Sequence, residues 1–165
     1  MTLFATDQDL SPEGLREVFG AFPSGVVALV AFVDGEPIGL AASSFTSVSL
    51  DPPLVSVSIA NGSKTWPGLR GATHLGITVL ADHHRGFARQ LAGPAGARFA
   101  GIALARTAEG SGFVADGLAH FHTSVYREVE AGDHTVVLLR VHARAVAAEG
   151  RPLVFHRSGF RTLAA

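Results

Sequence analysis

No cysteine occurs among the 165 residues, so neither a disulfide framework nor thiolate chemistry is available to this chain. Charge is scarce too. Charged residues make up 16% of the sequence and the formal net charge is −1, with no block of lysine and arginine, which leaves no electrostatic footprint for nucleic acid or an acidic membrane. No apolar run approaches the length of a membrane span, and Met1 to Asp9 shows no basic region followed by an apolar one. A soluble, cytoplasmic protein with no nucleic-acid or membrane partner is therefore expected. No G-x-G-x-x-G follows a strand-like run and no G-x-x-x-x-G-K-[ST] is present, so neither the common dinucleotide fingerprint nor a P-loop is supported.

A chain of this length is expected to fold around one core. We read residues 1–165 as a single domain, with 1–10 a poorly ordered N-terminal tail. Hydrophobic residues make up 47% of the chain, which leaves less polar surface than a small monomer ordinarily carries, and this points to a homodimer. The most unusual stretch is Ile38 to Ile59, which holds six serines and one threonine. Ser47-Val48-Ser49-Leu50 and Val55-Ser56-Val57-Ser58-Ile59 alternate hydroxyls with aliphatics, as a half-buried sheet does. Between them, Ala41-Ala42-Ser43-Ser44-Phe45-Thr46 has short side chains that leave main-chain N–H groups uncovered. That suits a flat, acceptor-rich ligand carrying a phosphate, and it equally suits a Ser-rich edge strand and turn.

Ser11-Pro12-Glu13 opens a helix, and Leu15, Val18, Phe19 and Phe22 follow at helical spacing, which predicts one apolar stripe laid on the core. Val26 to Val33 and Glu36 to Ala42 read as strands joined by an Asp34-Gly35 hairpin turn, and Asp51-Pro52-Pro53 is a turn before a strand over Leu54 to Ala60. Ser63 is a possible cap for a short helix reaching Arg70. His74 to Ala81 reads as a strand, Asp82 to Leu91 as a helix, and Gly93 to Ala115 as a long loop with short structured pieces. Leu118 to Val129 and His134 to Ala147 are long strands joined tightly, and Leu153 to Arg161 closes the chain as a strand or hairpin. Mostly short turns between six or more strands favour an antiparallel barrel with peripheral helices over a doubly wound sheet.

Taken in order, Phe22-Pro23-Ser24-Gly25-Val26, Ala42 to Leu54, Ser63-Lys64-Thr65, Arg98-Phe99-Ala100-Gly101 and Gly132-Asp133-His134 resemble the short-chain flavin reductases, the reductase components of two-component flavin monooxygenases. The resemblance runs from about residue 11 to residue 163. It implies a mainly β fold, a split antiparallel β-barrel of the FMN-binding type with a few peripheral helices. It also implies a dimer with sites near the subunit interface, and hydride transfer from NADH or NADPH to FAD or FMN.

For the flavin ring the resemblance implies Ala42, Ser43, Ser44, Phe45, Thr46, Ser47 and Val48, with Asp51 turning the chain and Ser58, Ile59 and Ala60 on the next strand. For its phosphate it implies Ser63, Lys64 and Thr65, with the basic Arg89 and Arg98 downstream, and it implies Gln90 and Phe99 as further cofactor-binding residues. His134 is implied as the catalytic residue beside nicotinamide and flavin, and Arg157 and Phe160 as cover over the nucleotide pocket. Three departures from the family pattern stand out, namely Ala41 where threonine is common, Ser124 where cysteine is frequent, and Phe160 where tyrosine is more usual. Other readings are a flavoprotein that retains its flavin and reduces another acceptor, a non-catalytic flavin- or haem-binding barrel, and a metal-dependent barrel suggested by His120-x-His122. The last has no third ligand at a matched spacing, so no metal is expected.

Overall fold

The computed structural model describes residues 10–163. Apart from Leu10, the tail expected over 1–10 lies outside the described residues. In chain order the elements are α1 (Pro12–Phe19), β1 (Ser24–Gly25), β2 (Val27–Val33), β3 (Glu36–Ala42), β4 (Thr46–Leu50), β5 (Pro53–Ala60), α2 (Trp66–Arg70), β6 (Leu75–Val79) and α3 (Arg85–Leu91). They continue with β7 (Leu104–Arg106), β8 (Gly112–Val114), β9 (Ala119–Ala131), β10 (His134–Val146), β11 (Leu153–His156) and β12 (Gly159–Thr162).

The main sheet has seven antiparallel strands in the order β3-β2-β6-β9-β10-β5-β4. β3 and β4 occupy its two outer edges, yet only Ser43, Ser44 and Phe45 separate them in the chain. Laid flat, the outer strands of such a sheet would stand roughly 29 Å apart, and four residue steps span at most about 14 Å. The sheet must therefore roll up until its edges nearly meet. The seam is a split barrel, bridged by the Ser44 hydroxyl, which donates to Ser58 O (3.1 Å) and accepts from Ser58 N–H (2.9 Å).

The barrel interior is filled by Val27, Leu29 and Ala31 of β2, Val55, Val57 and Ile59 of β5, Leu75 and Ile77 of β6, and Val137 and Leu139 of β10, with Trp66 and Leu69 of α2 as a plug. The opposite face of β2, with Ala28 and Val30, packs against Phe87, Ala88 and Leu91 of α3 and Leu153 of β11. β2 is thus buried on both faces, which is why its sequence runs apolar without alternation. Each fully buried leucine contributes about 1.5–3 kcal/mol.

Two expectations are corrected. α1 is capped as expected, with Ser11 Oγ accepting from Gly14 N–H at 3.2 Å, but no residue of it is buried. Its apolar stripe faces outward, with Val18 70%, Phe19 68% and Phe22 79% exposed. Periodicity locates an apolar face but does not say what covers it. The helix expected over Asp82–Leu91 begins as a 3₁₀ turn, Asp82–His84, and becomes α-helical at Arg85.

His84 holds that turn. Its Nδ1 accepts from Ala81 N–H (3.1 Å), so Nε2–H donates to Ala115 O (3.1 Å), and only the neutral ring can do both. Burial, and then His83 beside it, holds its pKa below the ordinary 6.5. Burial likewise lowers His120 and is the first cause of the lowered pKa of His122. A base whose folded pKa is depressed is protonated more readily when unfolded, so its stabilising effect is present above pH 6.5 and is lost as pH falls through the folded value. Thermal melts are therefore expected to show a midpoint that is level above about pH 7 and falls steadily toward pH 5, with His84→Gln reducing the slope. A midpoint unchanged across that range would reject this account.

Candidate active site

The seam opens into a cleft of about 610 Å³. One wall is Leu40, Ala41, Ala42, Ser43 and Ser44, where the chain leaves β3, and the facing wall is Ser58, Ile59 and Ala60 of β5. Gly62 to Thr65 and Arg98 also line it, with Leu91 at the end of α3 and the Ala92 that caps it, and His134 enters from the start of β10. A larger hollow of about 900 Å³ shares Ser43 and Ser44 and continues past Phe45, Thr46 and Ser47 to Phe19 and Phe22 at the end of α1 and to Phe155, His156 and Ser158 of the C-terminal hairpin.

The two walls meet because of strand register. Ala60 pairs with His134 across β5 and β10, so the end of one strand carries its small residue beside the first residue of the other. Asn61 fastens the junction. Its N–H donates to Asp133 O (2.9 Å), its side-chain amide donates to Gly132 O (3.1 Å), and its amide oxygen accepts from the Thr135 hydroxyl (2.9 Å). Nothing local in the chain reveals partners 71 and 74 residues away.

The His134 ring donates Nδ1–H to Asp133 Oδ1 at 2.7 Å. That bond and the charge of the ring hold the Asp133 carboxyl below the usual carboxylate range. Nε2 of His134 has no hydrogen-bond partner among the described residues, so a ligand in the cleft can reach it.

Arg98, also on the cleft, donates from Nε to Gly93 O (3.0 Å) and from Nη1 to Gly39 O (3.1 Å) and the Thr65 hydroxyl. No carboxylate pairs with it or with Lys64 among the described residues. Ser63 Oγ accepts from Trp66 N–H (3.2 Å) ahead of α2, which is only five residues long, so the main-chain donors it offers are few. A half-buried guanidinium held by neutral acceptors and facing a cleft is the chemistry of an anion site.

The structure thus brings together Ala42, Ser43, Ser44, Ser58, Ile59, Ala60, Ser63, Lys64, Thr65, Arg98 and His134, with Phe45, Thr46 and Ser47 in the adjoining hollow. Others stand elsewhere. Phe45 stacks on Phe121 at 5.7 Å and packs on the barrel core, which commits much of its ring to the fold. Val48 falls at a bulge between Ser47 and Ser49, and Asp51 lies in the exposed turn that follows. Gln90 bonds the loop at 97–100, and Phe99 packs on the second core cluster. The Arg89 guanidinium lies 5.9 Å over the Phe160 ring, and Arg157 forms the β11–β12 turn with φ 47°. His120 and His122 share the outer face of β9 but bond separately, to Thr78 Oγ1 (3.3 Å) and Ser111 Oγ (2.8 Å).

Residues 19–164 match the family described as flavin reductase like domain. A flavin reductase of Pseudomonas putida is 34% identical over 157 residues, covering 94% of this chain and 92% of that protein. The stachydrine N-demethylase reductase subunit Stc3 of Rhizobium meliloti is 39% identical over 133 residues, covering 80% of this chain and 58% of that protein. The chain spans only about half the length of this and a second Rhizobium meliloti relative. Among solved structures, the NADH:FAD oxidoreductase SgcE6 of Streptomyces globisporus C-1027, determined with NAD and FAD fragments, superposes with a TM-score of 0.85 at 32% identity, covering 91% of each chain.

Proposed function

The chain belongs to the flavin reductase-like family, and from that premise we propose that it is an NAD(P)H:flavin oxidoreductase supplying reduced FAD or FMN to a separate monooxygenase. One observation carries the reading. A single cleft joins the small residues Ala42–Ser44, the cations Lys64 and Arg98, and the His134 ring, whose Nε2 has no partner among the described residues. This donor set fits a flavin nucleotide, with a flat slot for the ring and cations for the phosphate. When bound, the flavin accepts a hydride that the nicotinamide supplies.

The residues divide that work. Backbone N–H groups of Ala42 to Ser44 would hold the oxygen- and nitrogen-bearing edge of the ring, since small side chains leave them open. Ser44 itself adds no hydroxyl to the ligand, because that group is engaged with Ser58. Ser63, Lys64, Thr65 and Arg98 would hold the phosphate. His134, its tautomer fixed by Asp133, would orient the nicotinamide or manage a proton near the ring.

We also take the protein to be one domain, a homodimer and cytoplasmic, where NAD(P)H is made; among the described residues no helix is long and apolar enough to cross a membrane. Dimerisation would cover the exposed stripe of α1 and Leu50, which is 96% exposed at the end of edge strand β4.

Purified protein is expected to oxidise NADH or NADPH once FAD or FMN is added, followed by loss of reduced nicotinamide absorbance. Failure of all four combinations to exceed the free-flavin background would reject the proposal. A yellow protein as purified whose rate does not respond to added flavin would favour a retained prosthetic group instead.

A further inference from the structure

We propose that Gln90 is a positioning residue for the phosphate, acting through Arg98; the inference rests on the flavin reading above. Gln90 lies in the last turn of α3 and does not line the cleft. Its Nε2 reaches three carbonyl oxygens of the following loop, Ala97 O at 2.9 Å, Arg98 O at 3.1 Å and Ala100 O at 2.9 Å. An amide nitrogen has two hydrogens, so the three acceptors must share them.

That loop has little else to hold its shape. Its own main-chain bonds, Ala97 N–H to Pro94 O, Arg98 N–H to Ala95 O and Ala100 N–H to Ala97 O, are single i to i+3 contacts of 3.1–3.3 Å, and no strand ladder runs through it. Gln90 gathers the carbonyls on either side of Arg98 at one point. The backbone from which the guanidinium projects is thereby fixed.

The far end of Arg98 is fixed as well. Nε–H and the two Nη1 hydrogens are taken up by Gly93 O, Gly39 O and the Thr65 hydroxyl, which leaves the two Nη2 hydrogens without an acceptor among the described residues. Phe99 sits in a notch that only glycine permits, since a Cβ at Gly39 would stand 2.8 Å from Phe99 Cζ and 2.5 Å from Leu29 O. Gln90 at the backbone and Gly39 at the side chains therefore hold the Arg98–Phe99 pair, and the free Nη2 edge is what remains for an anion.

The test compares FMN with riboflavin, which has the same ring and no phosphate. The wild type is expected to bind FMN more tightly. Gln90→Met, similar in length but without a donor, is expected to weaken FMN about tenfold while riboflavin changes less than about twofold. Arg98→Met should abolish the preference, and adding Gln90→Met to it should cost nothing more. Gln90→Asn, which keeps a donor on a shorter arm, is expected to fall between wild type and Gln90→Met, and it serves as the test where the methionine variant does not fold. Equal losses for FMN and riboflavin, or an unchanged preference in the Gln90 variants, would overturn the inference and leave the flavin reading standing. A wild type that binds none of riboflavin, FMN and FAD would overturn both.

Discussion

Replacing His134 by alanine is expected to lower kcat/KM for the nicotinamide by roughly 10²–10⁴ while flavin affinity stays within a few fold. The separation of the two effects follows from where the residue stands. The His134 ring bonds only to Asp133 and makes no hydrogen bond or ion pair with Lys64 or Arg98 among the described residues, so its loss leaves the groups suited to the flavin phosphate untouched. Its place is set by the backbone, through the Ala60 pairing and the three bonds of Asn61. A truncated side chain therefore leaves the turn as it was.

The ring adds a directed Nε2. Because Asp133 takes the Nδ1 hydrogen, Nε2 is the acceptor in the neutral ring and a donor once a proton arrives. Asp133→Asn should give a smaller loss, since an amide can still bond the ring but no longer selects one tautomer. Stopped-flow reduction of saturating flavin gives the rate, and flavin fluorescence titration gives the affinity. A variant that reduces bound flavin at the wild-type rate but binds it poorly would reassign His134 to flavin retention.

Much of this arrangement is legible in the chain because it is local. The Asp34-Gly35 turn takes positive φ at both residues, 52° and 87°, as its composition requires. The apolar run of β2 marks a strand buried on both sides. The Ser-rich stretch reads as a site segment through its order, yet its architectural role, closing the two edges of a seven-stranded sheet, depends on pairings that no local pattern encodes. Phe45 and Phe99 illustrate the limit. An aromatic within a binding motif reads as a ligand contact, and both rings also pack on the core clusters behind the cleft. Gln90 shows the reverse. Its helical position suggests nothing beyond a polar face, and its contribution becomes visible only once the loop at 97–100 folds back over it.

Phe22→Glu combined with Leu50→Glu is expected to halve the mass of the protein in solution and to weaken flavin binding at the same time. Phe19, Phe22 and Leu50 are each more than two thirds exposed in the protomer. Burying each such side chain contributes about 1.5–3 kcal/mol, against an association cost of roughly 4–15 kcal/mol. The patch is therefore large enough to decide whether a dimer forms, and two buried carboxylates would remove its contribution and add their own desolvation. β4 strengthens the argument, because it is an edge strand whose residues 46–48 and 50 are exposed, a surface that soluble proteins ordinarily cover. The link to flavin follows from geometry. Phe19 and Phe22 line the same hollow as Ser43 to Ser47, so a partner seated on them would also roof the ring segment, and its loss would expose that segment to water. Neither substituted side chain belongs to a core cluster, so the monomer should keep its secondary structure and most of its thermal stability. Sedimentation at micromolar concentration, with a flavin titration of the same sample, reads both effects. A monomeric wild type would reject the homodimer, and a double variant that stays dimeric would place the interface elsewhere; a monomeric variant with unchanged flavin affinity would show that each site is complete within one chain.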